Sequence, residues 1–272
     1  MEKGLLELYQ TPQLQNPSLL VGWQTHDAGK LSSRIVHFLT EQLGGQRIAE
    51  VNPSGFFPLG GAAFKGNLIQ VPESEFWACE KSSLLVFKGD EPKYEWYRFL
   101  TAVLDFAEYS CHARELYTIS ATHSLTAHTT PRRILAVYNQ PAFQRLLQDY
   151  GLENMTWEGP PAISSYLLWV AERRNIPGVS LWPEIPFYLA ASRDPSATKL
   201  TLSFLDKRFN LGLDLGELDL EIRDQYERIA QLRREDSEID RYINRLESGL
   251  SLNEQEQVKL AREVYELLER NG

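Results

Sequence analysis

The residues of this 272-residue chain that could do chemistry are Asp27, Glu91, His128, Arg132, Trp182, Glu184 and Tyr188, each placed in or beside a turn. The run His26-Asp27-Ala28-Gly29-Lys30 lies where a strand turns into a helix, a place where free backbone N–H groups and the helix dipole can hold an anion. It departs from the phosphate loop G-x-x-x-x-G-K-[ST], because Gln24 takes the place of the first glycine and Leu31 that of the hydroxyl residue that would hold magnesium. Nucleoside triphosphate binding is therefore excluded there. The simpler reading is a tight turn capped by Asp27, with Gly29 allowing close packing. Asp90-Glu91-Pro92 offers adjacent carboxylates, which act as acid and base only if one is desolvated and otherwise cap the next helix.

The run from His123 to Arg133 is rich in hydroxyl, imidazole and guanidinium groups, so it lines a polar pocket or forms a surface loop held by its own hydrogen bonds. The surface loop is the plainer expectation. His123 and His128, with Cys111 or His112, do not make a zinc spacing, and neither Ser120 nor Ser124 sits in a G-x-S-x-G elbow. No metal and no cofactor are expected. In Pro177 to Leu189, Pro183 and Pro186 are expected to stop a strand after Trp182 and to impose a stiff turn that holds Glu184, Phe187 and Tyr188. Glu184 is the candidate functional carboxylate, against the alternative that it caps or forms a salt bridge locally.

Short β-rich runs alternate with helical stretches over residues 18–182, which predicts an α/β fold with a central mixed, mainly parallel sheet between helices. The strand candidates are 19–23, 47–51, 67–71, 84–88, 115–120, 134–138 and 179–182. Covering helices are read from Leu31, Ile35, Phe38, Leu39 and Leu43, from Tyr97, Leu100, Val103, Leu104 and Ala107, and from Ile163, Tyr166, Leu167 and Val170. A further helix begins at Pro195 with Asp194 as its cap and ends near Leu205. If the turns at Asp27, Glu91, Pro160 and Glu184 share one edge of the sheet, they form a cleft beside Trp182 and Tyr188, partnered by His128 or Arg132.

The organisation is a core domain, 1–210, and a C-terminal helical arm, 217–272. A stripe at three-four spacing, with Ile229, Leu232, Ile239 and Ile243 at its centre, predicts one helix to about residue 246, and Gln225 and Asp236 interrupt it. A break at Ser248-Gly249 and a capping box Ser251-Leu252-Asn253-Glu254 then start a second helix, which completes a C-terminal helical hairpin. The stripe either packs on its own chain or forms an oligomer or partner interface. Six of the nine units of net negative charge fall in the arm. An acidic chain without a basic stripe lacks the footprint for nucleic acid or an anionic membrane surface. Without an apolar run of spanning length or a signal segment, a cytoplasmic protein is expected, with Cys79 and Cys111 reduced.

Several of these runs, in order, resemble the proteasome assembly chaperone 2 family. Ser180 to Leu189 resembles its slW..vPhYl signature, with Phe187 where histidine is common. Gly22-Trp23 with Asp27-Ala28-Gly29 resembles GW.DAG with two extra residues, and Gly89-Asp90-Glu91-Pro92 followed by Trp96 and Phe99 resembles G.EP and rW..F. Glu158-Gly159-Pro160-Pro161-Ala162-Ile163 resembles the Y.GPtGi turn, with Glu158 and Pro161 as departures, and His128-Thr129-Thr130-Pro131-Arg132 resembles dvPHTRP with one residue inserted between Thr and Pro or the register shifted. The resemblance implies an architecture similar to nucleoside phosphorylases and peptidyl hydrolases. It also implies a non-catalytic, homo-oligomeric assembly or interaction protein, a trimer first and a dimer second. The end Glu269-Arg270-Asn271-Gly272 lacks the hydrophobic-tyrosine-any tail with which such chaperones dock, so no docking through it is expected. The alternative is an enzyme or small-molecule binder with a cleft at the C-terminal edge of the sheet.

Overall fold

The run Ser18–Trp23 is almost wholly buried, as expected of an apolar strand covered on both faces at the middle of a parallel sheet. In the computed structural model, which describes residues 4–156, 158–159 and 162–269, it is strand β2 of the order β1-β3-β6-β7-β2-β8-β12-β10-β11. These strands are β1 (Leu6–Leu8), β3 (Gln46–Val51), β6 (Ser74–Cys79), β7 (Leu84–Gly89), β8 (Glu115–Ile119), β10 (Ile134–Tyr138), β11 (Glu153–Asn154) and β12 (Gly178–Pro186). The neighbours β7-β2-β8-β12 run parallel, while β6, β3 and β1 extend the sheet antiparallel beyond β7. The sheet is therefore mixed, with a parallel centre. A separate antiparallel hairpin joins β4 (Ala63–Lys65) to β5 (Leu68–Gln70). Pro160 and Pro161, and Arg270 to Gly272 at the chain's end, lie outside the described residues.

The chain divides into two compact units. The first takes the residues up to His26, Ser32–Ser120 and Ala136–Leu181. Its core joins Leu19, Val21, Leu85, Phe87 and Leu116 to α2 (Trp96–Asp105) and α4 (Ile163–Glu172) on one face of the sheet. Side chains alternate along a strand, so Gly22 faces the other side, where an added Cβ would come within 2.3 Å of Val36 on α1 (Leu31–Gln42). Tyr117, also on that side, meets Phe143 of α3 (Ala142–Asp149) edge to face.

The second unit takes Asp27–Leu31, Ala121–Leu135 and the chain from Trp182 onward. Here β9 (Thr122–Ser124) pairs in parallel with the end of β12. The helices are α5 (Pro195–Phe209), α6 (Gly216–Glu235), α7 (Ser237–Glu247) and α8 (Glu254–Glu269). The expected single helix through residue 246 is two. Asp236 leaves helical geometry and accepts hydrogen bonds from the Glu238 and Ile239 amides, so the residue that interrupts the apolar stripe is the cap that starts α7. The expected hairpin is therefore three helices.

The capping box of α8 is also shifted. Asn253 Oδ1 accepts from the Glu256 amide at 3.0 Å and Glu256 Oε2 accepts from the Asn253 amide at 2.9 Å, so the reciprocal pair starts two residues after Ser251. Ile229, Ile239 and Ile243 are fully buried and Leu232 is half-buried within the single chain. The isoleucines offered as interface candidates thus have no surface left for a second copy.

Nor do the prolines end the strand after Trp182. β12 runs on to Pro186, because the fixed φ of proline suits extended backbone and the Glu184 amide between them still donates to Arg133 O at 2.9 Å.

Candidate functional site

The run from Leu125 to Arg133 is the loop that joins β9 to β10, and its centre is buried rather than solvated. His128 is 3% exposed, although Leu125, Thr129, Thr130, Pro131 and Arg133 of the same loop are exposed, as a surface loop would have them. Its backbone N–H donates to the Tyr188 hydroxyl at 2.5 Å, and its ring Nδ1 lies 2.9 Å from the same oxygen. Burial, then the nearby guanidinium groups of Arg132 and Arg233, push the imidazole down to about 4 against the opposing pull of Glu247. The ring is therefore neutral at neutral pH, with Nδ1 free to accept from the Tyr188 O–H. Burial raises the Tyr188 phenol well above its ordinary value, so it too stays uncharged.

Arg132 closes this centre. Its Nε donates to Asp194 Oδ2 at 2.9 Å, and its second nitrogen donates to the carbonyls of His128 and Thr130 at 3.0 and 2.8 Å. The two ion-pair side chains are 4% and 0% exposed. Asp194 is also the N-cap of α5, as the sequence predicts, and accepts from the Ala197 amide at 3.0 Å. Tyr226 of α6 donates its hydroxyl to His128 O at 2.6 Å, and its ring stands edge-on to the imidazole with centroids 5.1 Å apart. Thr129 and Arg233 both donate to Glu247, which holds that carboxyl below its ordinary range although burial acts to raise it.

Of the seven candidates, His128, Arg132 and Tyr188 are thus joined directly. Sequence reasoning missed Asp194 as an ion-pair partner, and Tyr226, Arg233 and Glu247 altogether. The two acids were visible only as a cap and as part of a charged helix, and no local spacing links them to His128. Glu184 instead forms a two-point pair with Arg133, with Nε and a terminal nitrogen at 2.7 and 3.0 Å from its oxygens. The local salt bridge is what the geometry supports there. The Trp182 indole Nε1 is buried without a hydrogen-bond partner among the described residues.

Asp27 precedes the turn Ala28–Lys30 but makes no side-chain cap to it, which corrects the capping role. Gly29 does permit close packing: at φ +65° an added Cβ would lie 2.7 Å from Ile185 Cδ1. Glu91 belongs to the first unit, where its amide donates to Thr25 Oγ1 at 3.0 Å and burial raises its carboxyl above the ordinary value. Its neighbour Asp90 is held by Thr25 Oγ1 and the Glu73 amide, at 3.1 and 3.0 Å.

Elsewhere in the second unit, a cavity of about 580 Å³ is lined among others by Ser192, Arg193, Asp224, Gln225, Arg228 and Leu268. It uses none of the seven candidates. The Ser192 hydroxyl and the Gln225 Oε1 are buried without partners among the described residues. No group of three or more His, Cys, Asp or Glu side chains among those residues is placed to hold a metal ion. Cys79 and Cys111 are free and buried, which pushes their thiols up to about 11 and about 12. No helix among the described residues is long and apolar enough to cross a membrane.

Three solved structures are similar across nearly their whole length. A protein of unknown function from Mycobacterium tuberculosis is 20% identical with a TM-score of 0.77, over 99% of this chain and 98% of that one. A proteasome-assembly chaperone homologue from the same organism is 19% identical with a TM-score of 0.72, over 83% and 99%. PbaB, an archaeal proteasome activator from Pyrococcus furiosus, is 20% identical with a TM-score of 0.70, over 84% and 98%. At these identities the likeness is one of fold. No curated protein matches the chain. The PAC2 family model matches residues 19–233, from β2 through the buried His128–Tyr188 pair into α6, and the chain belongs to the PAC2 family.

Proposed function

We propose that this protein is a non-catalytic, self-associating assembly protein of the proteasome-assembly-chaperone kind, acting in the cytoplasm. The observation that carries this reading is how the polar candidates are used. His128, Arg132 and Tyr188 spend their hydrogen bonds on one another, on Asp194 and on Tyr226, in a buried centre where imidazole and phenol are both neutral. A general base works best with a pKa near the operating pH and a reachable proton. This imidazole has neither. Family membership and the likeness to a proteasome-assembly chaperone homologue and a proteasome activator point the same way. A core of residues 1–210 that carries a helical arm, 217–272, is the division we assign to this role.

Light scattering of the full chain tests the reading. A mass that is a multiple of 31.2 kDa is expected, a trimer ahead of a dimer. A species of 31.2 kDa at every concentration overturns self-association.

A second reading rests on the cavity beside Ser192 and Gln225. Its volume falls within the range of small-molecule sites, and two buried polar atoms there want partners. On this reading the architecture, similar to that of nucleoside phosphorylases, holds a small polar ligand. A screen of purine nucleosides and phosphorylated compounds by thermal shift separates the two: a saturable rise in melting temperature that is lost in Gln225→Leu favours the binder.

A further inference from the structure

The hairpin β4–β5 inverts the usual placement of apolar side chains. Within residues 58–71, Leu59 is 95% exposed, Phe64 84%, Leu68 74%, Ile69 80% and Val71 60%. Phe64 and Ile69 are cross-strand partners, so one face of the hairpin presents an aromatic ring beside a β-branched chain. The hairpin is a sheet of its own, with both outer edges unpaired by any other strand of the described residues. Its base is fixed: Gly61, at φ +73°, sits so close to Pro72 that an added Cβ would come within 2.1 Å of that ring. An isolated two-stranded hairpin is marginal in water and needs a further layer to be stable. The chain thus builds a firm root for an element that nothing in the described chain covers.

We infer that this hairpin is the surface through which the chain binds a second copy of itself, an inference that rests on the self-association reading above. Two observations select that occupant. The first is size. A standard interface buries about 800 Å² per partner, of which about 450 Å² is apolar. Five such side chains, at roughly 100 Å² each on the transfer scale, supply about 400 Å² after allowing for partial exposure. Phe64 and Ile69 share one face, Leu68 the opposite one, and Leu59 and Val71 flank the hairpin, so a second copy that clasps both faces gains nearly the apolar area that one side of a stable interface needs. The second is charge. The chain carries a net charge of -9, so copies repel wherever acidic faces meet. Residues 58–71 contain no acidic residue and a single basic one, Lys65, so two copies that meet through this segment set no carboxylates of it against each other.

The test is the solution mass of the full chain and of two independent double variants, Phe64→Glu with Ile69→Lys, and Leu59→Ser with Leu68→Ser. The wild type is expected to be an oligomer at micromolar concentration. Each variant is expected to weaken association by a hundredfold or more and to approach 31.2 kDa, with its melting transition still cooperative. If either folded variant keeps the wild-type mass, the hairpin is not the contact and self-association stands on another surface. If the wild type itself is 31.2 kDa throughout, both readings fall. Should both variants fail to fold, Ile69→Cys decides: Cys79 and Cys111 are buried, so the new thiol is the exposed one. Mild oxidation should cross-link copies through it far faster than through a control Cys at Val258, which is also exposed to solvent. Equal rates at the two positions overturn the inference.

Discussion

The loop that carries His128 and the hairpin that carries Phe64 are opposite solutions to the same constraint. In the first, the centre of a polar run is buried and pairs internally, as in the Arg132–Asp194 pair at 4% and 0% exposure, with Arg132 Nη2 left without a partner among the described residues. In the second, an apolar run is held in water with five large side chains uncovered. Buried polar groups survive only when paired, and exposed apolar patches persist where something is to cover them. These two segments reverse the usual placement, whereas the rest of the chain buries apolar side chains in its core.

The largest effect should come from breaking the sealed centre. Asp194→Ala leaves the Arg132 guanidinium buried without its counter-charge and removes the cap of α5, so a loss of about 3–5 kcal/mol is expected in urea denaturation. A loss below about 1 kcal/mol would show that the pair is not sealed. The adjacent Arg133, whose side chain is 52% exposed, provides the internal contrast. Arg133→Ala should cost no more than about 1 kcal/mol.

Next is the helical part of the second unit. Ile239→Ala empties a fully buried site on α7 and should cost about 2–5 kcal/mol, whereas Leu232→Ala, half-buried on α6, should cost distinctly less. Equal losses would mean that the two helices share one continuous stripe after all, contrary to the break at Asp236.

A third effect depends on pH. His128 stands at about 4 in the folded chain against 6.5 when free, so the unfolded chain binds a proton that the folded one refuses between these values. Stability is then fully present above about 6.5 and is lost as pH falls, down to about 4, by at most about 3 kcal/mol. His128→Gln should flatten the dependence of the urea midpoint on pH within that window. An unchanged slope would place the acid sensitivity in the carboxylates instead.

What the sequence disclosed follows the range over which each feature is determined. The parallel strands, α1 and the Asp194 cap were legible because a run of apolar residues or a cap followed by proline is read within a few positions. Asp236 was visible as an interruption but not as a cap, because its role depends on where α7 turns rather than on the stripe. The burial of His128 was hidden, since its partners Tyr188 and Tyr226 lie 60 and 98 positions away and the local run reads as a polar loop. The segment 67–71 was legible as a strand. That it stands uncovered was not, since alternation reports which residues share a face and never what that face meets.

The smallest expected effect is the one that separates the two regions most cleanly. Phe64 and Ile69 bury almost nothing within the chain, so replacing both by Ser should change the stability of the dissociated chain by no more than about 0.5 kcal/mol. The two residues would then matter to association and not to folding, whereas Asp194 would matter to folding first. The comparison has to be made at concentrations low enough that the wild type is also dissociated, because any partner that binds only the folded state adds apparent stability. Under those conditions, a loss of more than about 1 kcal/mol in the double Ser variant would mean that the hairpin is covered by its own chain. Its exposure would then be no sign of a second copy, and the contrast between a sealed polar centre and an outward apolar arm would lose one of its two terms.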